Sequence, residues 1–202
     1  VHKGDHQAVV EACQQVIREQ PKYRPQCLRY QVKALEALGQ DRALEKLLTA
    51  IMADRPLPWA LVALADLYRR MGQLDKAENL LEQGVRQFPM LPMIYDGLAA
   101  VYRERDDLPK AQQWLEQGLR ISPHVLHRQI ELGTVARHNQ DGETALKAWR
   151  QAVELGRNSV FHSAENHLNL AATLNDQLGD NPDPKITLEL RQTLNEMEQT
   201  WS

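Results

Sequence analysis

The chain has 202 residues with 24 Lys+Arg against 27 Asp+Glu, a formal charge of −3 and a pI near 6.2. That balance argues against broad nucleic-acid affinity, which needs a basic surface to displace counterions. No run of 18 or more apolar residues occurs, so no membrane span is expected, and VHKGDHQAVV has no signal-peptide core. The start lacks Met, which points to a fragment of a longer chain. Leu (29) and Ala (21) supply a quarter of the residues, Gly and Pro only ten each, and β-branched runs are scarce, all of which favours an all-α chain. Cys13 and Cys27 are the only cysteines, so a disulfide framework is excluded and reduced cytosolic thiols are expected.

In chain order, residues 5–20 carry Val9, Val10, Cys13, Val16 and Ile17 and then stop at Pro21. Four helix-ending prolines, Pro21, Pro56, Pro89 and Pro123, are 35, 33 and 34 residues apart, and Gly4, Gly39, Gly72 and Asp106 share those intervals as turn residues. Proline cannot continue a helix, and glycine accepts the positive φ of a helix end. The period predicts stacked helix pairs at 25–56, 58–89, 92–123 and 126–156. The 25–56 pair is the weaker, with Gln31 at a core position, and the 126–156 pair lacks the closing proline. A further pair is expected over 160–201. Asp183 and Pro184 start its second helix, and Ile186, Leu190, Leu194, Met197 and Trp201 form its apolar stripe. Residues 1–21 read as a second helix without its first. Its open apolar face, around Val9, Val10 and Ile17, is expected to bind another surface, with a homodimer as one outcome.

The clearest unit is Pro58 to Pro89, and the next repeats it with Tyr95, Leu98, Ala99 and Tyr102 on one helix, then Ala111, Leu115, Gly118 and Pro123 on the next. It resembles the tetratricopeptide repeat, a 34-residue helix–turn–helix. The resemblance implies a right-handed α-solenoid of about eleven helices over residues 1–202 as a single domain. RPLPWA, SPHVLHRQIELG and ELGRNS look similar to the repeat region of bacterial CheY-like response regulators. That likeness implies an upstream receiver domain and a cytoplasmic output or adaptor module in two-component signalling.

Signs of catalysis are missing. No phosphate-binding Gly-rich loop, GxSxG or HExxH occurs, and the carboxylates are scattered. No enzyme, cofactor or metal is expected: His124 and His127 lack a third ligand nearby, and His162 and His167 diverge on a helix. The cysteines and the four tryptophans, Trp59, Trp114, Trp149 and Trp201, read as packing residues. In the resembled family, first helices line a concave groove. Projection onto it selects Gln26, Arg29, Lys33 and Glu36; Trp59, Val62, Asp66, Arg69 and Arg70; Met93, Asp96, Ala100, Arg103 and Glu104; and His127, Ile130, Thr134, Arg137 and His138. Arg69, Arg103 and Arg137 are spaced 34 and 34. They form either a binding row for an acidic partner or a solvated ladder paired with Asp66, Asp96 or Glu104. The clamp by which some family members hold chaperone tails needs Lys and Asn where this chain has Arg29, Val62, Asp96 and Ala100. The expected function is protein or peptide binding through Arg29, Lys33, Trp59, Val62, Arg69, Arg70, Met93, Arg103, Ile130 and Arg137. A stand-alone scaffold, in envelope or pilus assembly, and the substrate-recognition arm of a larger enzyme are the alternatives.

Overall fold

A computed structural model describes residues 3–157, 163–178 and 183–201. These residues form eleven α-helices and, among them, no strand. The helices are α1 (Lys3–Glu19), α2 (Arg24–Leu38), α3 (Asp41–Asp54), α4 (Pro58–Arg70), α5 (Leu74–Gln87), α6 (Pro92–Glu104), α7 (Leu108–Ile121), α8 (Leu126–His138), α9 (Gly142–Arg157), α10 (Ala164–Asp176) and α11 (Pro184–Trp201). A 3-10 turn, Pro21–Tyr23, links α1 to α2. The chain divides into two compact units, Val1–Gly84 and Val85–Ser202. His162, named above, lies outside the described residues.

The repeat register is written in the backbone. Gly39, Gly72, Asp106 and Gln140 have φ of 66°, 71°, 61° and 60°. Each ends the first helix of a pair, in the left-handed region that frees the chain to reverse. Gln140 extends the period by another 34 residues with a residue type that did not signal it. Gly4 departs from the expectation: it lies inside α1, not in a turn.

In the first unit α2, α3 and α4 bury Val32, Leu35, Leu44, Leu48, Ile51 and Leu64, and Val10 of α1 joins them. This corrects the expected open face of α1. Val10 is part of the core and its carbonyl accepts a hydrogen bond from Gln31 Nε2 at 3.4 Å. Gln31 thus holds its core position by donating its buried side-chain amide to a backbone carbonyl of α1. Of the three residues named, only Val9 is exposed.

In the second unit Ala136, Ala145, Leu146, Trp149, Val153, Leu170 and Leu174 form a core on which Ile186 and Leu190 of α11 pack. Asp183 Oδ1 accepts from the Lys185 amide at 2.8 Å at the start of that helix. The predicted α11 stripe is displaced, because Leu194 is exposed and Thr193 is buried in its place. Its hydroxyl donates to the Glu189 carbonyl at 2.9 Å, so burial leaves no orphan group. Glu189 and Glu196 of α11 receive Arg150 and Arg157 of α9, at 2.7 and 3.0 Å.

Candidate functional site

Three clefts contain residues of the predicted groove. The first, about 380 Å³, lies in the first unit between α2 and α4, with Gln26, Arg29, Tyr30, Lys33, Glu36 and Trp59 among its lining. Pro25 in the first turn of α2 and Pro58 in that of α4 fix both helix starts. Cys27, Gln31, Val32, Ala34 and Leu35 turn inward on α2, which leaves 26, 29, 30 and 33 on the outer side at helical spacing. Trp59, one residue into α4, packs partly on the core and carries the Arg29 guanidinium over its ring, 5.1 Å from the centroid. Such a cation–π contact holds the guanidinium flat against an apolar surface without neutralising it. Among the described residues neither Arg29 nor Lys33 has an ion-pair partner.

The second cleft, about 220 Å³, lies between α6 and α8. Its charges are already matched. Arg128, 5% exposed, is held bidentately by Asp96 at 2.6 and 2.7 Å and donates to the Ser122 carbonyl and Oγ at 3.2 and 3.0 Å. Gly118 makes room for it: a β-carbon there would stand 3.0 Å from Arg128 Nε. Arg103 pairs with Glu131. The third cleft, about 390 Å³, is lined by Thr134, Arg137, His138, Trp149, Asn169 and Asp176, and Arg137 pairs with Asp176 at 2.8 Å.

Each member of the arginine column is therefore engaged within the chain. Arg69 is 2.6 Å from Asp66, as one of the two readings anticipated, with Arg70 3.4 Å from the same carboxylate. Arg103 and Arg137 find acids on the next first helix, Glu131 and Asp176, rather than Asp96 or Glu104. Asp96 is taken by Arg128, which the groove projection missed. Of the apolar candidates, Met93 is exposed, Val62 is half-buried, and Ile130 packs against the core of the second unit while remaining partly open. Tyr30, 61% exposed, was also missed, although the 26, 30, 33 spacing of one helical stripe marks it.

Other chemistry is sparse. Among the described residues no group of three or more His, Cys, Asp and Glu side chains is placed to hold a metal. His167 is buried edge-on to Trp201, ring centroids 4.9 Å apart, and Trp149 is buried against Gly133. Trp114 stacks obliquely on Tyr95 at 6.0 Å. No described helix is long and apolar enough to cross a membrane.

Residues 58–89 and 93–117 match the tetratricopeptide repeat. Solved structures extend the likeness to nearly the whole fold. The crystal structure of BtubC from P. vanneervenii aligns with a TM-score of 0.71 at 16% identity, over 99% of this chain and 92% of that one. MamA from Desulfovibrio magneticus RS-1 aligns at 0.58 and 18%, over 77% and 97%. A thermophilic TPR protein from Thermus thermophilus aligns at 0.54 and 21%, over 81% and 95%. No curated protein matches the sequence. The fold is the all-α tetratricopeptide solenoid class, consistent with a protein–protein interaction module.

Proposed function

We propose that this protein is a non-catalytic interaction scaffold that holds an acidic, apolar-containing segment of a partner protein in the α2–α4 cleft. The observation that carries the reading is the pairing of two cations that lack an intramolecular carboxylate, Arg29 and Lys33, with Trp59 and the exposed Tyr30 around one concavity. Cations beside aromatic surface suit a carboxylate flanked by an apolar side chain, and Arg with aromatics is the composition of interface hot spots. The other two clefts have their charges satisfied internally and offer less to a charged ligand.

A stand-alone scaffold agrees with the comparisons better than a response-regulator output module. The aligned structures are covered over 92 to 97% of their own chains by this repeat fold, and the response-regulator likeness has only the sequence segments behind it. A cytoplasmic setting remains part of the proposal.

The test is fluorescence anisotropy of a peptide panel in which Asp/Glu content and aromatic content vary independently. Peptides with both should bind in the micromolar range, about 8 kcal/mol. Arg29→Glu with Lys33→Glu should weaken them at least tenfold, and Trp59→Ala should weaken the aromatic ones most. Equal binding by acidic and basic peptides, or binding unaffected by the double charge reversal, refutes the reading.

A further inference from the structure

We propose that Cys13 and Cys27 are the two halves of a reversible intrachain disulfide that locks α1 onto α2. The register of the two helices places them together. A short connector, Pro21–Tyr23, makes α1 and α2 antiparallel neighbours, and Gln31 Nε2 reaches the Val10 carbonyl at 3.4 Å. From that contact, three residues forward on α1 arrives at Cys13 and four residues back on α2 arrives at Cys27, one helical turn in each case. The two positions therefore face each other across the same interface, and both are buried, at 8% and 7% exposed. Both thiols are free, and Cys27 is the neighbouring group that acts on the Cys13 thiol. They are the only cysteines of the chain, so oxidation has no competing intrachain partner.

The chemistry is a two-electron oxidation by a small oxidant of the peroxide class. One thiolate attacks a peroxide oxygen, the O–O bond breaks, and the products are a sulfenic acid and, after protonation, water. The second thiolate attacks the sulfenic sulfur, the S–S bond forms, and a second water leaves. The sum is two thiols plus hydrogen peroxide giving a disulfide and two waters. A dithiol such as dithiothreitol reverses it by exchange. Burial first, and then the neighbouring Cys27, push the Cys13 thiol above its ordinary value. The thiolate fraction therefore grows as pH rises, and oxidation should quicken with it. Because both thiols are covered, reaction proceeds through local opening of the α1–α2 contact, and closing that contact again is what brings the sulfurs into line.

The experiment uses the full chain, hydrogen peroxide as the oxidant and no peptide ligand, so its outcome is independent of the proposed binding cleft. Intact mass should fall by the two hydrogens lost (about 2 Da), peptide mapping should link Cys13 to Cys27 of one chain, and no covalent dimer should form. Closing a 15-residue ring should raise the melting temperature by about 5–10 °C, reversibly with dithiothreitol. Cys13→Ser should show neither the link nor the rise. Mass gains from sulfinic acid in place of the link, an interchain disulfide, or a link that forms without raising the melting temperature would each overturn the proposal.

Discussion

The buried pair Arg128–Asp96 should respond unequally to removal of its two halves. Arg128 is 5% exposed and Asp96 faces the α6–α8 cleft with its side chain 35% exposed. Asp96→Ala strands a guanidinium in the interior with only the Ser122 carbonyl and hydroxyl as neutral acceptors. Breaking a buried pair in this way costs about 3–5 kcal/mol, and the open cleft, which admits water, puts this case near ~3 kcal/mol. Arg128→Met removes the buried charge, keeps much of the apolar stem, and leaves a carboxylate that can rehydrate, at a cost of about 1 kcal/mol. Gly118→Ala acts through the same group. The new methyl would meet Arg128 Nε at 3.0 Å, Cδ at 3.1 Å and Tyr95 Cβ at 3.4 Å, and Arg128 is pinned by four hydrogen bonds. The ~1 kcal/mol of helix propensity that Ala gains over Gly is then outweighed, for a net loss of about 1 kcal/mol. In the Arg128→Met background the Nε contact and the four pinning hydrogen bonds are gone, so the shorter side chain can yield to the methyl and the same change should be close to neutral, a coupling of roughly 1 kcal/mol. Urea unfolding followed by far-UV circular dichroism gives the free energies of all the variants, provided the slope is common to them. If Arg128→Met costs as much as Asp96→Ala, or the glycine change is additive, the pair is not a desolvated clamp.

Gly133→Ala would place a methyl 2.6 Å from Trp149 Cε2 and 2.8 Å from Nε1, against an indole only 2% exposed. It should cost about 2–3 kcal/mol in urea melts, and the smaller ring of Trp149→Phe should recover most of it. Asp141, before α9, accepts from the Thr144 amide at 3.1 Å and from Gln112 Nε2 at 2.7 Å. The Thr144 side chain foremost, with Gln112 and the Thr144 amide behind it, holds its carboxyl below the usual value against the opposing effect of burial. Its folded-state pKa lies below the unfolded one, so its contribution is complete above about pH 4 and fades as pH falls through the folded value. A pH series of melting temperatures should show Asp141→Asn destabilised at pH 7 and converging on the parent below about pH 4.

The helices were legible because two punctuation marks recur together. Proline at the pair ends and a small or polar residue at the turns fix the period independently of any side-chain contact. The site was legible only in part. Helical spacing alone finds Arg29 and Lys33 on one stripe, but the ring under Arg29 comes from another helix, 30 residues on. The arginine column misled for the same reason. Equal spacing says that Arg69, Arg103 and Arg137 occupy equivalent positions, whereas what each one pairs with depends on the acids nearby: Asp66 on the same helix for Arg69, Glu131 and Asp176 on the next first helix for the other two. On α11 the apolar stripe held at Ile186 and Leu190 but not at Leu194, because periodicity does not register that Glu189 and Glu196 meet Arg150 and Arg157 of α9 or that a buried Thr193 can satisfy its hydroxyl within its own helix.

In the second unit the long-range ion pairs join helices that are not consecutive: Asp96 of α6 and Arg128 of α8, Arg137 of α8 and Asp176 of α10, Arg150 and Arg157 of α9 and Glu189 and Glu196 of α11. Repeats built from the same Leu, Ala and Gly positions present nearly interchangeable apolar faces, so hydrophobic contact alone would let one hairpin dock on any other. The charges act as an address. A hairpin stacked out of order would set arginine against residues that cannot neutralise it, and the chain distinguishes its proper neighbour from a look-alike by the penalty on the wrong assembly, not by extra adhesion in the right one.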